Sequence, residues 1–291
     1  MLNAFGRCLL YSSLVERQCI PVMSTFDLVD RDLENIFEAV SGRICLEGIA
    51  PELAGLLPHG FPMMRYADLR VDWSPELKGY AVRGSEKMGT LADHITLPLP
   101  FRFLDSAVVF SSGFPNAFWP QALHDLEISL SEAFSALTLK KEISEYVKGR
   151  HRTLPPRYIS VHFRNTDYQN DLSKTIRRTL DAVERTGIRS VLWATDDMSS
   201  LESVRALSDI DIVNFDIGID VKAVGSRNLH QISSAELSRR CISRLDIARS
   251  FFLDLYCMAR SAEHVPSEKT SITKLVALLK KRRHLLESFY P

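Results

Sequence analysis

Tyr158-Ile-Ser-Val-His-Phe-Arg-Asn-Thr-Asp167 begins mostly apolar and ends on four polar residues, the pattern of a buried strand that delivers its last side chains to a surface. Outward from it the rhythm is regular. Leu172 to Arg185 has a helical pattern, Ser190-Val-Leu-Trp-Ala-Thr195 reads as a second buried strand, and a helix is expected to begin near Ser199 or Ser200. Ile212-Val-Asn-Phe215 reads as a strand, and Ala235 to Arg260 as one long helix or two consecutive ones. A short strand at His264-Val265 and a last helix from about Ser271 complete the series. Strands separated by helices of this length build a parallel, doubly wound α/β sheet, and such sheets bind ligands at the carboxyl ends of their strands.

Upstream the reading is coarser. Leu9 to Arg17 fits one face of a helix, Ile20-Pro-Val-Met23 a short strand, and residues 30–40 an amphipathic helix capped by Asp30, with Leu33, Ile36, Phe37 and Val40 on one face. Six prolines and several glycines break residues 50–103 into loops with short helices or strands. Ala107-Val-Val-Phe-Ser-Ser112 reads as a buried strand, and Ser131 to Lys148 as a helix with Leu139, Ile143 and Val147 on one face. At 291 residues the chain has room for two domains, expected as an N-terminal lobe at 1–152 and a C-terminal lobe at 153–291.

Composition narrows the function classes. Lys plus Arg number 36, as do Asp plus Glu, so there is no basic excess to grip nucleic acid or an anionic membrane. The run Lys280-Lys-Arg-Arg283 reads as the solvated end of the last helix. Five scattered cysteines (Cys8, Cys19, Cys45, Cys241, Cys257) have neither zinc nor redox spacing and suit a reducing, cytoplasmic setting. No run is long enough to span a bilayer. The apolar stretch Cys8–Val15 holds two serines and a tyrosine, with no small-residue cleavage site after it, so it does not read as a secretory signal.

Three strand ends are unusually polar. In His162-Phe-Arg-Asn-Thr-Asp167, alternation sends His162, Arg164 and Thr166 the same way, and a guanidinium at a strand end can clamp a phosphate through two parallel hydrogen bonds. The other use for Arg164 is an ion pair with Asp167 in a turn. Trp193-Ala-Thr-Asp-Asp197 ends on two carboxylates, whose commonest job in such a place is to cap the next helix. Pro266-Ser-Glu-Lys-Thr-Ser-Ile-Thr273 gathers hydroxyls where a helix begins, and helix N-termini receive anions. One cap accounts for one of these hydroxyls, not for Ser267, Thr270, Ser271 and Thr273 together.

Taken in order, His-x-Arg-x-x-Asp at a strand end, Ala194-Thr-Asp, Asp254-Leu-Tyr-x-Met and a Ser/Thr-rich turn into Leu-x-Ala-Leu-Leu resemble the fucosyltransferase superfamily over residues 130–280. The superfamily includes the nodulation-type α1,6-fucosyltransferases and the protein O-fucosyltransferases. Leu2-Asn-Ala-Phe-Gly-Arg is similar to that family's N-terminal turn, with Asn3 in the asparagine place but without its glycines. The resemblance implies a GT-B-like fold of two Rossmann-like lobes, each with a doubly wound parallel sheet. It also implies GDP-fucose as donor substrate, a glycan acceptor, and an inverting displacement with no cofactor or metal. It places Arg164 on the donor's β-phosphate with His162 beside it, Asp196 near the nucleotide, and Thr270, Ser271 and Thr273 in the phosphate-binding hydroxyl cluster; Asn3, Asp167 and Ser267 join the expected donor site. One departure matters. Where the nodulation and O-fucosyl branches commonly carry a second arginine, this chain has Asn165, which is also counted in the donor site.

Overall fold

A computed structural model describes residues 35–40, 69–74, 79–84, 95–97, 126–165, 170–207, 209–215, 221, 232, 234–267 and 272–291, the strands between 69 and 97 by their backbone. The chain divides into two compact units, residues 1–26 with 31–138, and residues 27–30 with 139–291.

In the first unit, β1 (Phe37–Ala39) pairs with β5 (Leu137–Leu139), and β2 (Leu69–Ser74), β3 (Gly79–Gly84) and β4 (Ile95–Leu97) form an antiparallel sheet in the order β2-β3-β4. Two expectations are corrected here. The helix predicted over 30–40 is not helical at its end, because Phe37–Ala39 is extended. Ile36 and Phe37 are buried while Val40 is 59% exposed, and the Val40 N–H reaches the Ala136 carbonyl at 2.9 Å. The backbone thus takes a distant partner in place of a local one. Likewise the helix predicted from Ser131 to Lys148 is two, α1 (Leu126–Ala136) and α2 (Lys141–His151), with β5 between them. Leu137 and Leu139 are both fully buried, a period of two inside a helical stretch, and Lys140 adopts an extended ψ of 145° before α2 starts. The predicted segments at Leu9–Arg17, Ile20–Met23 and Ala107–Ser112 lie outside the described residues.

The second unit holds the parallel sheet. β6 (Ile159–Phe163) leads through α3 (Leu172–Thr186) to β7 (Ser190–Thr195), and β7 through α4 (Met198–Arg205) to β8 (Asp211–Val213). Then α5 (Ser234–Arg239) and α6 (Arg244–Arg260) carry the chain back to β9 (Glu263–Val265), followed by α7 (Ile272–Lys281) and α8 (Arg283–Phe289). All four strands are parallel, in the order β8-β7-β6-β9. The last helix is therefore followed by another, which corrects the reading of the basic run. Lys281, Arg282 and Arg283 are exposed, but Lys280 is partly buried and donates to the Ser261 carbonyl.

Ile159, Val161 and Phe163 point to one face of the sheet, where they join Ala182 of α3, Leu201 and Val204 of α4, and Trp193 of β7. Phe163 and Trp193 stack with centroids 5.8 Å apart, and Trp193 Nε1 donates to Ser200 Oγ at 3.3 Å, so the indole is buried without an orphaned donor. Tyr158 and Ser160 point to the other face, where their hydroxyls meet the Cys257 carbonyl and Ser261 Oγ. The caps fit the sequence. Asp171 accepts from the Lys174 N–H and starts α3, Gly187 at φ 68° ends it, and Ser243 with Asp246 forms a capping box for α6.

Candidate functional site

Strands β6 and β9 are neighbours whose following helices lie on opposite faces of the sheet. α3 packs its Ala182 in the Val161–Phe163 core, whereas α7 sends Lys280 to Ser261 on the Ser160 side. That makes the space beyond their carboxyl ends a topological switch point, the place where doubly wound sheets bind ligands. Arg164 and Asn165 leave β6 there, Ser267 leaves β9, and Asp196 and Asp197 leave β7 one strand away.

These residues are wired together. Ser267, 3% exposed, accepts from the Arg164 N–H at 3.2 Å and donates its hydroxyl to the His162 carbonyl, locking the end of β9 to that of β6. The Arg164 guanidinium lies 3.9 Å from Asp196 Oδ2, and both side chains keep some exposure. Asn165 is a joint. Its backbone N–H donates to Asp196 Oδ1 at 3.2 Å, its Nδ2 to Asp197 Oδ2 at 2.9 Å, and its Oδ1 accepts from the Asn170 N–H at 3.3 Å. Asp197, 2% exposed, also accepts from Ser199 Oγ at 2.6 Å. Asp197 stands at the N-cap position of α4, but its carboxylate serves Asn165 and Ser199, not the helix N–H groups. Thr273 Oγ1 donates to the Ser267 carbonyl at 3.3 Å.

His162 is partly buried, and burial, then His264 and Arg164, push its pKa down to about 3. Burial chiefly, then Lys280, takes His264 down to about 4. Both imidazoles are neutral at pH 7. Among the described residues no group of three His, Cys, Asp or Glu gathers to hold a metal ion, and no helix is long and apolar enough to cross a membrane.

Of the ten residues singled out in the sequence, the structure brings His162, Arg164, Asn165, Asp196, Ser267 and Thr273 to one edge of the sheet; Asn3, Asp167, Thr270 and Ser271 lie outside the described residues. Arg164 has an ion-pair partner in Asp196, across the gap to the next strand, and Asp167, the partner expected for it, lies outside the described residues. Sequence reasoning missed Asn170, whose amide donates to the Arg164 carbonyl, because an asparagine before a helix start has an ordinary turn role. It also missed the buried set around Ser160. The signal was there: a serine inside an otherwise apolar strand, on the same face as His162.

A parallel sheet with polar strand ends meeting at its switch point is the architecture of nucleotide-binding α/β proteins, and the fold is fucosyltransferase-like. The chain is similar to the crystal structure of NodZ α1,6-fucosyltransferase soaked with GDP-fucose, with a TM-score of 0.50 at 14% identity, over 96% of this chain and 87% of that one. The same enzyme co-crystallized with GDP gives a TM-score of 0.49 at 13% identity and equal coverage. No protein-family model and no curated protein matches the chain. The α/β, fucosyltransferase-like fold expected from the motif order is thus the fold found.

Proposed function

We propose that this chain is a glycosyltransferase that takes a nucleotide sugar, GDP-fucose, at the β6–β9 switch point and transfers the sugar to a glycan acceptor with inversion and without a metal. The observation that carries the reading is the Arg164–Asp196 pair at a strand-end crevice, tied into place by Ser267 and Asn165. Breaking a sugar–phosphate bond leaves growing negative charge on the nucleotide, and a fixed guanidinium aimed at it lowers the barrier. Asp196 is suited to hydrogen-bonding the nucleotide, and the hydroxyls of Thr270, Ser271 and Thr273 at the start of α7 to holding the diphosphate. The likeness to NodZ, whose structures were determined with GDP-fucose and GDP, supports the fold on which this reading rests.

A second reading, a nucleotide-binding protein without transfer activity, is favoured by Asn165. Its hydrogen bonds to Asp197 and Asn170 leave no cation at the place where the related families put their second arginine.

Thermal shift separates the donors. A ligand at a hundredfold excess over Kd stabilises the native state by about 2.7 kcal/mol. GDP and GDP-fucose are expected to raise the melting temperature, and UDP to leave it unmoved. A response to UDP alone sinks the fucosyltransferase reading, and GDP binding with neither hydrolysis nor transfer, with or without added manganese, selects the second reading.

A further inference from the structure

The direction in which the Arg164 side chain leaves the backbone is set by two dihedral angles, because the peptide planes on either side of it are rigid. Holding both planes therefore fixes where the guanidinium sets out from. The plane before Arg164 is held through its N–H, which donates to Ser267 Oγ at 3.2 Å. The plane after it is held at both ends. The Asn165 N–H donates to Asp196 Oδ1 at 3.2 Å, and the Arg164 carbonyl accepts from the side-chain amide of Asn170.

Asn170 is itself anchored. Its backbone N–H donates to Asn165 Oδ1 at 3.3 Å. The next residue, Asp171, caps α3 by accepting from the Lys174 N–H at 3.0 Å, so Asn170 stands at the foot of a rigid helix. Its amide faces a carbonyl, where only the Nδ2 end can bond, so the orientation of that amide is settled. Asn165 and Asn170 thus close on each other and join the end of β6 to the start of α3. Both are neutral, so the clasp adds no charge to compete with Asp196 for the guanidinium.

We propose that Asn170 is a positioning residue for Arg164: by gripping the Arg164 carbonyl from the foot of α3, it completes the set of bonds that aims the guanidinium at the crevice beside Asp196. The hold comes from three elements at once, β9 through Ser267, the end of β7 through Asp196 and the start of α3 through Asn170. A cation presented in one orientation before its ligand arrives loses less freedom on binding. The positioning rests on these contacts; its use on a diphosphate rests on the glycosyltransferase reading.

Hydrogen exchange read by NMR tests the hold without any ligand. In wild type the Arg164 and Asn165 amides are expected to be protected, as is that of Val161, which lies inside β6 between β7 and β9. In Asn170→Ala, protection at Arg164 and Asn165 should fall by roughly tenfold more than at Val161, the size of one lost hydrogen bond. Asn170→Asp, the same shape without the donor, should do likewise. A merely structural asparagine would lower all three amides by one common factor. GDP titration reads the consequence: Asn170→Ala should weaken GDP roughly tenfold and leave guanosine, which has no phosphate, unchanged. In an Arg164→Ala background the same substitution should cost GDP nothing further. Free exchange at Arg164 and Asn165 in wild type, or a uniform loss of protection in both variants, overturns the proposal. So does a loss of GDP affinity as large without Arg164 as with it. Local loosening in a protein that does not bind GDP leaves the positioning standing and removes only the functional reading.

Discussion

Arg164 stands between two uses, and its substitution separates them. As a structural ion pair with Asp196 at 3.9 Å and partial exposure, it would contribute well under 1 kcal/mol, and its loss would leave ligand binding by the folded protein intact. As the group that holds a departing diphosphate, it would act more strongly in the transition state than in the ground state. Arg164→Ala is expected to fold, to bind GDP more weakly, and to lose roughly 10²–10³ in kcat, the scale of a single oxyanion donor. Arg164→Lys should recover only part, since a point charge lacks the two-pronged geometry. Circular dichroism, GDP titration and single-turnover rates check this together. Arg164 and Asp196 could each be picked out in the sequence from their place at a strand end. Their pairing could not, because nothing in the sequence says which strands are adjacent. Asn165 could be seen as a departure, but its role as a joint depends on Asp197 and Asn170 meeting across that same gap.

At the scale of elements, the parallel half was legible because its signals are local and agree with each other. Ser190–Thr195 matches its prediction residue for residue, and α3 extends the predicted helix by a single residue. Apolar run, cap and glycine all point the same way there. Where the first unit departed, at β1 and β5, the strands are three residues each and their pairing joins segments about a hundred residues apart. Local periodicity carries no trace of such a partner. The end of α3 offers a direct test. Gly187 has φ 68°, and a Cβ there would meet nothing within 4 Å, so only the backbone conformation opposes a side chain. Gly187→Ala is expected to cost about 1 kcal/mol in denaturant unfolding, with the slope m unchanged. A cost near zero would mean that the helix ends differently in solution.

Across the whole molecule, buried titratable groups set the pH response. His162 and His264, with folded pKa values of about 3 and 4, stay neutral where an unfolded chain would take up protons. Their contribution is complete above pH 6.5 and is lost as pH falls towards 4. The charged groups around them, Arg164, Arg178 and Lys280, are all cations and reinforce that direction. Asp254 in α6 acts with the opposite sign, since burial pushes its carboxyl up to about 7. The folded state holds its proton up to about pH 7, whereas the unfolded chain releases it near the ordinary carboxyl pKa, so its contribution is complete below that pKa and is lost as pH rises through 7. Asp254→Asn removes the cost of a buried charge at high pH, on the order of a few kcal/mol. The melting temperature of the variant relative to wild type is therefore expected to climb between pH 5 and pH 8. A difference that stays flat across that range would show that the carboxyl is solvated.

The placement of β9 also sets an order of events. Ile159 pairs with Glu263, and Ser267 closes on Arg164, so the switch point joins positions about a hundred residues apart. By contrast, β6, α3, β7 and α4 lie in an unbroken run from Ile159 to Arg205. Contacts of short separation form cheaply, whereas closing a long loop must be paid before its contacts return anything. The β6–β7 half, with the Arg164, Asn165, Asp196 and Asp197 contacts, can therefore condense early, and Ser267 completes the switch point only when β9 arrives beside β6. The closing of Ser267 on Arg164 is thus expected late in folding, and binding of the proposed ligand, measured during refolding, is expected to lag behind formation of the β6–β7 core.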